Sequence, residues 1–179
     1  RFSDERVPTL QEVLELARDR VGVLIELKYY GHAQRLEQRV VEVVEATGMA
    51  EQVQFMSLKP GAVRKIRALR PSWPVGLLSS VAVGDTLRLD VDFLAVNARF
   101  VGADLIRRAH RRGKTVMAWT VNEPLAMSRL IGQGVDGLIT DDPALAARVL
   151  AERAALNPAE RLLLWVAAWS GRAPVYRPQ

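Results

Sequence analysis

The chain has 179 residues, 49% hydrophobic and 25% charged, which fits one globular domain with a substantial core. Its 25 Lys and Arg against 20 Asp and Glu give a formal charge of +5, scattered along helical stretches without aromatic interleaving, so a solvated surface and no nucleic-acid partner are expected. The lack of cysteine excludes disulfides, thiolate zinc sites and thiol catalysis. In chain order, PTLQE opens the first helix, with Thr9 as N-cap and Glu12 completing a capping box, and Leu10, Val13, Leu14 and Ala17 at helical spacing. VGVLIELK (21–28) reads as a strand. Leu36, Val40, Val43 and Val44 mark a helix that Gly48 ends, and 52–57 is a strand. Pro60, Val63, Ile66 and Leu69 mark a helix stopped before Pro71. Strands at 74–79 and 91–97 (VDFLAVN) follow, then a helix of Leu105, Ile106 and Ala109 closed by Gly113. After a strand at 114–121, Asn122 is expected to cap a helix bearing Pro124, Met127, Leu130 and Ile131. After a last strand at 135–140, Asp142 caps a helix with Pro143 first and Leu145, Val149 and Leu150 inward.

Six strands alternating with helices imply a parallel sheet covered by helices, either an open doubly wound sheet or a barrel. No glycine-rich phosphate loop of either common type is present, which argues against the nucleotide-binding sheet. Polar residues recur instead at the strands' C-terminal ends: Glu26 and Lys28, Ser57, Ser79 and Ser80, Asn97, Trp119 with Thr120, and Thr140 with Asp141. In a barrel that edge is where active sites are built. A complete barrel needs about eight strands, two more than the sequence supplies. The barrel is assigned to 1–156. Residues 157–179 are read as a separate helix and tail, in which Asn157 starts a helix and LLLWVAAW (162–169) continues it. That apolar run is far below the roughly 18 residues needed to span a bilayer. The helix is read as packed on the barrel exterior, with a membrane-surface or partner-docking role as the alternative because Trp165 and Trp169 share a face. The opening RFSDERVP has no apolar leader core, and a cytoplasmic location is expected.

Glu26 and Lys28 are two apart, so in a strand they point to one face. A carboxylate beside an ammonium just where burial ends is either a solvated salt bridge or hardware for a divalent metal and a phosphate. Trp119 is either a core residue or a wall against which a substrate packs. Asn97 is either a cap or a hydrogen-bonding group for ligand. His110, in RRAHRRG, reads as solvated, and His32 as a loop histidine. Asp141 and Asp142 read as a turn residue and a cap, and Asp104 and Asp136 as helix-start and loop residues.

The order PTLQEVLELA, VGVLIELK, AHRRGKTVMAWTVNE and GVDGLITDDP closely resembles the glycerophosphodiester phosphodiesterase family over roughly residues 7–150. The resemblance implies a TIM-type barrel that hydrolyses small-molecule glycerophosphodiesters to an alcohol and glycerol phosphate with a divalent cation, Ca2+ or Mg2+. It implies that Glu26 ligates the metal, that Lys28 faces the phosphate as a catalytic residue, and that Trp119 lies near the glycerol; Asn97 is a weaker substrate-binding match. The family's barrel opens with a His-Arg strand end, an acidic pair that completes the metal site, and a His-Asp motif, its histidines serving as general acid and base. None of these precedes PTLQE, and neither His32 nor His110 lies in such a motif, so neither takes that role.

The expected fold is therefore α/β, a TIM-type (β/α) barrel incomplete at about six of eight units, with an additional C-terminal helix. Two missing strands would expose apolar interior, unfavourable at about 25 cal/mol per Å². The chain is accordingly expected to be a fragment of a longer enzyme, a truncated homo-oligomer covering its open barrel edge, or one piece of a split enzyme, and to be inactive alone. The alternatives are an inactive remnant that binds phosphodiester head groups or a partner, and a lyase forming cyclic phosphates.

Overall fold

The computed structural model describes residues 6–30, 35–80, 86–157, 159, 160 and 163. Helix α1 (Leu10–Ala17) starts where expected: Glu12 donates its backbone N–H to Thr9 Oγ1 at 3.3 Å and its carboxylate accepts the Thr9 N–H at 2.8 Å. The further elements are β1 (Val23–Glu26), α2 (Leu36–Ala46), β2 (Val53–Ser57), α3 (Pro60–Leu69), β3 (Val75–Ser79), β4 (Phe93–Asn97), α4 (Ala103–His110), β5 (Thr115–Trp119), α5 (Pro124–Gly132), β6 (Gly137–Leu138) and α6 (Pro143–Ala155). Strands follow sequence order across one six-stranded sheet, and the pairs β1–β2, β2–β3 and β5–β6 run parallel. Sequential strands, joined by α-helices except between β3 and β4, where the described residues hold a short 3-10 turn at Thr86–Arg88, are the α/β arrangement that the alternation predicts and the TIM-type order that the resemblance implies. Most of the strands are shorter than their apolar runs. The sheet hydrogen bonds nonetheless continue past their ends, as in Leu27 N to Met56 O (2.8 Å) and Ile139 N to Ala118 O (2.8 Å).

Two compact units divide the chain: Arg1–Leu78 with Leu89–Phe93, and Ser79–Arg88 with Leu94–Gln179. In the first, Phe55 stacks on Trp73 with ring centroids 5.3 Å apart, and Ile25, Leu27, Val44 and Ile66 are buried in the same unit. Because paired residues in a parallel sheet share a face, Glu26, Met56 and Gly76 lie on one side and Ile25, Phe55 and Val75 on the other. A Cβ on Gly76 would sit 2.1 Å from the Phe93 ring, so glycine is what lets that buried ring lie across the Glu26 side. In the second unit, Val116 and Ala118 are fully buried while Met117 and Trp119, on the opposite face, are half-buried.

An aspartate bracket recurs at the strands' N-terminal ends. Asp92 donates its N–H to Val75 O and accepts the Val75 N–H with Oδ2, both at 2.8 Å, and the same oxygen takes Arg67 at 2.7 Å. In the second unit Asp136 holds Val116 in the same way, at 2.9 and 2.7 Å, and pairs with His110 at 2.8 Å. Asp136, in the bend before β6 as expected of a loop residue, thus also brackets a strand, and His110 is committed to it.

Two helix expectations need correction. Asn122 does not cap α5; Glu123 occupies that position and Asn122 bonds elsewhere. Leu150 is 56% exposed because it lies about 100° around α6 from the buried Val149. Asp142 caps α6 as expected, accepting the Leu145 N–H at 2.8 Å. Asn157 begins a helical stretch through reciprocal bonds with Glu160. Trp165, Trp169 and His32 lie outside the described residues. Among the described residues, no helix is long and apolar enough to cross a membrane.

Gly76→Ala is expected to lower stability by about 1–3 kcal/mol through overpacking against Phe93. Phe93→Leu in the same chain should recover part of that loss; denaturant unfolding of the three proteins measures both.

Candidate active-site edge

β1 delivers its charged pair as the alternation requires. Ile25 and Leu27 are buried on one face, and Glu26 and Lys28 emerge on the other with their side chains 24% and 54% exposed and Lys28 Nζ 3.3 Å from Glu26 Oε2. Lys28 lies beyond the strand, yet Leu27 keeps the sheet bond to Met56, so the alternation carries through. A pair this exposed is worth about 0–1 kcal/mol, so its partners exchange readily for a ligand.

Ser57 does not join them. It is 1% exposed on the opposite face, where its hydroxyl donates to Leu27 O at 2.8 Å and accepts the Lys59 N–H at 3.1 Å. Beside it lies a network the sequence reading missed. The Tyr29 hydroxyl donates to Glu37, Lys65 Nζ lies 3.2 Å from the same carboxylate, and Lys59 Nζ sits 4.5 Å above the Tyr29 ring. Glu37 is 1% exposed. The signal was its spacing: Glu37 shares the stripe of Val40, Val41 and Val44, where a helix buries apolar residues. Burial alone would raise the Glu37 pKa, but the Tyr29 hydroxyl, the backbone and Lys65 outweigh it and hold the carboxyl below its usual range. Burial, with the bond to and charge of Glu37, pushes the Tyr29 phenol up to about 12.

In the second unit, Trp119 donates its indole N–H to Ala95 O at 3.0 Å, which leaves only its ring to offer a ligand. Asn97 Oδ1 accepts the Arg99 N–H at 3.1 Å, capping the short turn after β4 and leaving its side-chain NH2 as a donor. Asn122 ties two loops together: its Oδ1 accepts from Thr140 Oγ1 and Asp141 N, both at 3.0 Å, and its Nδ2 donates to Asp141 at 2.7 Å. Asp141 is therefore a partner in a loop clasp.

Among the described residues, no three His, Cys, Asp or Glu gather as a metal cluster. Glu26 suits one oxygen ligand of a hard cation, which takes about six to eight. A cavity of about 350 Å³ lined by Gly22, Leu24, Gln52 and Pro74 among others opens at the N-terminal ends of β1 and β2, away from Glu26. In this architecture that end serves stability, so the cavity is not the candidate site.

Residues 1–145 match the model of the glycerophosphoryl diester phosphodiesterase family. The chain is 29% identical over 153 residues to a glycerophosphodiester phosphodiesterase of Caldanaerobacter subterraneus subsp. tengcongensis, covering 80% of this chain and 61% of that protein. It superposes on a glycerophosphodiester phosphodiesterase of Parabacteroides distasonis with a TM-score of 0.77 at 25% identity, covering 84% of this chain and 66% of that one. A phosphodiesterase of Oleispira antarctica, solved with the product sn-glycerol-3-phosphate, shares the fold with a TM-score of 0.74 at 24% identity, covering 80% and 61%. The chain spans about three fifths of the length of the curated relatives it matches.

Tyr29 gives a pH test. Its phenol is raised in the folded chain, so the stability it contributes is fully present below about pH 10 and lost as pH rises toward about 12. Urea unfolding across that window should show a steeper loss in the wild type than in Tyr29→Phe; equal slopes contradict the network.

Proposed function

The chain belongs to the glycerophosphoryl diester phosphodiesterase family, and on that premise we propose that it supplies the phosphate-facing edge of a metal-dependent hydrolase that converts glycerophosphodiesters to glycerol 3-phosphate and an alcohol. The observation that carries this reading is the exchangeable Glu26–Lys28 pair at the C-terminal edge of β1. In-line displacement at a phosphodiester builds negative charge on the non-bridging oxygens. A lysine held by the strand stabilises that charge without reorganising at the moment of reaction. Glu26 contributes one carboxylate ligand for Ca2+ or Mg2+, which when bound supplies further positive charge to the phosphoryl group. With Glu26 holding a cation, Lys28 would be free to face the phosphate.

Trp119 presents its ring, and Asn97 its NH2, as glycerol-side contacts. Proton transfer is assigned to neither histidine of the sequence: His110 is committed to Asp136, and His32 lies outside the described residues. The 179-residue chain alone is therefore proposed to bind product and to turn over little substrate.

Calorimetric titration with sn-glycerol 3-phosphate in Ca2+ tests this. Lys28→Met should weaken binding at least about tenfold, about 1.4 kcal/mol, and Glu26→Gln should remove its dependence on Ca2+. Undiminished binding in Lys28→Met overturns the assignment. Binding without release of glycerol phosphate from glycerophosphocholine, even when acid–base groups are supplied by the corresponding segment of a relative, would mark a binding module. Metal-dependent turnover by the chain alone would contradict the expected inactivity.

A further inference from the structure

The buried carboxylate of Glu37 plays no part in the chemistry proposed for Glu26 and Lys28, yet it is the only acidic side chain among the described residues that is as little as 1% exposed. A buried carboxylate is costly unless bonded on all sides, and this one is met from β1's end by Tyr29 and from α3 by Lys65. The contacts then close on themselves. Lys59 lies over the Tyr29 ring, the Lys59 N–H goes to Ser57 Oγ, and Ser57 donates to Leu27 O. Leu27 and Tyr29 flank Lys28 on either side in sequence, Leu27 buried on the face opposite the charged pair and Tyr29 bonded to Glu37 of α2. The backbone at Lys28 is thus fastened before it by Leu27 and after it by Tyr29.

We propose that Glu37 is a positioning residue that acts through Tyr29 to hold the Lys28 end of β1 in place. Neither residue touches the phosphate; their effect is to keep the ammonium on the active edge when Glu26 lets it go. The use of that order in phosphate binding rests on the function proposed above, whereas the order itself does not.

Amide hydrogen exchange on the full 179-residue chain reads the order without any ligand. Leu27 N–H is bonded to Met56 O at the fastened end, and Phe55 N–H, bonded to Pro74 O, serves as the reference elsewhere in the same unit. Tyr29→Phe keeps the ring and loses only the hydroxyl. It should lower protection of Leu27 about tenfold, the size expected for a hydrogen bond to a charged acceptor, while leaving Phe55 unchanged. Glu37→Leu, which also frees Lys65, should lower it at least as much, and the double variant should lose no more than Glu37→Leu alone, because the Tyr29–Glu37 bond is already gone in it. Glu37→Gln, whose amide oxygen still accepts from Tyr29, should stay within about threefold of wild type and serves if Glu37→Leu does not fold.

A parallel fall at Leu27 and Phe55 means general destabilisation and overturns the inference, as does unchanged Leu27 protection or additive loss in the double variant. Titration with sn-glycerol 3-phosphate separates the two claims. If Tyr29→Phe also weakens binding several-fold, order and use are joined. If the wild-type chain binds no glycerol phosphate while Leu27 protection still falls in Tyr29→Phe, the functional reading fails and the anchor stands.

Discussion

In β1 a strand only four residues long must bury Ile25 and, just past its end, Leu27, while alternation sends every second side chain the other way. Glu26 and Lys28 have no alternative to sharing the solvent-accessible face, and the parallel register with β2 places Met56 beside them. A one-residue slip would bury both charges and expose both apolar side chains, so the register that makes the core also makes the charged edge. The ion pair itself adds little stability, and under the proposed function that weakness is its use: a carboxylate and an ammonium already aligned can each turn to a cation or an anion at small cost.

The two ends of the strands divide the work. At the N-terminal ends, Asp92 and Asp136 each exchange two bonds with the neighbouring strand and take a side chain from a helix, Arg67 in one unit and His110 in the other. Those carboxylates are spent on structure. At the C-terminal ends Lys28 and Asn97 are part-exposed and weakly committed and Trp119 offers a ring face, whereas Ser57 is buried and Asp141 is tied into the loop clasp. The family match, over residues 1–145, runs through β1 and through the Trp119 strand alike.

Much of this was legible in the sequence because it is local. The Thr9 box spans three residues, the Asp142 cap likewise, and β1 announces its charged end within eight letters. What escaped is non-local. Asn122 resembles a cap for the proline that follows it, but its partners lie 18 and 19 residues away. Glu37 resembles a surface glutamate, and only its place among Val40, Val41 and Val44 hints that a phenol eight residues back and a lysine on the next helix would satisfy it. Ser57 was grouped with the active edge by position, although its pairing with Leu77 puts it on the buried face. Leu150 was placed inward by hydrophobicity, a property that does not settle which side of a helix is covered.

The proposed function has the C-terminal edge of β1, not the cavity at the opposite end of the strands, receive the phosphate. Backbone chemical-shift mapping with sn-glycerol 3-phosphate tests it most directly. Saturable shifts are expected at Glu26, Leu27 and Lys28, with Gly22 and Gln52 unmoved. Shifts centred on Gly22, Gln52 and Pro74's neighbours, with Lys28 silent, would contradict it.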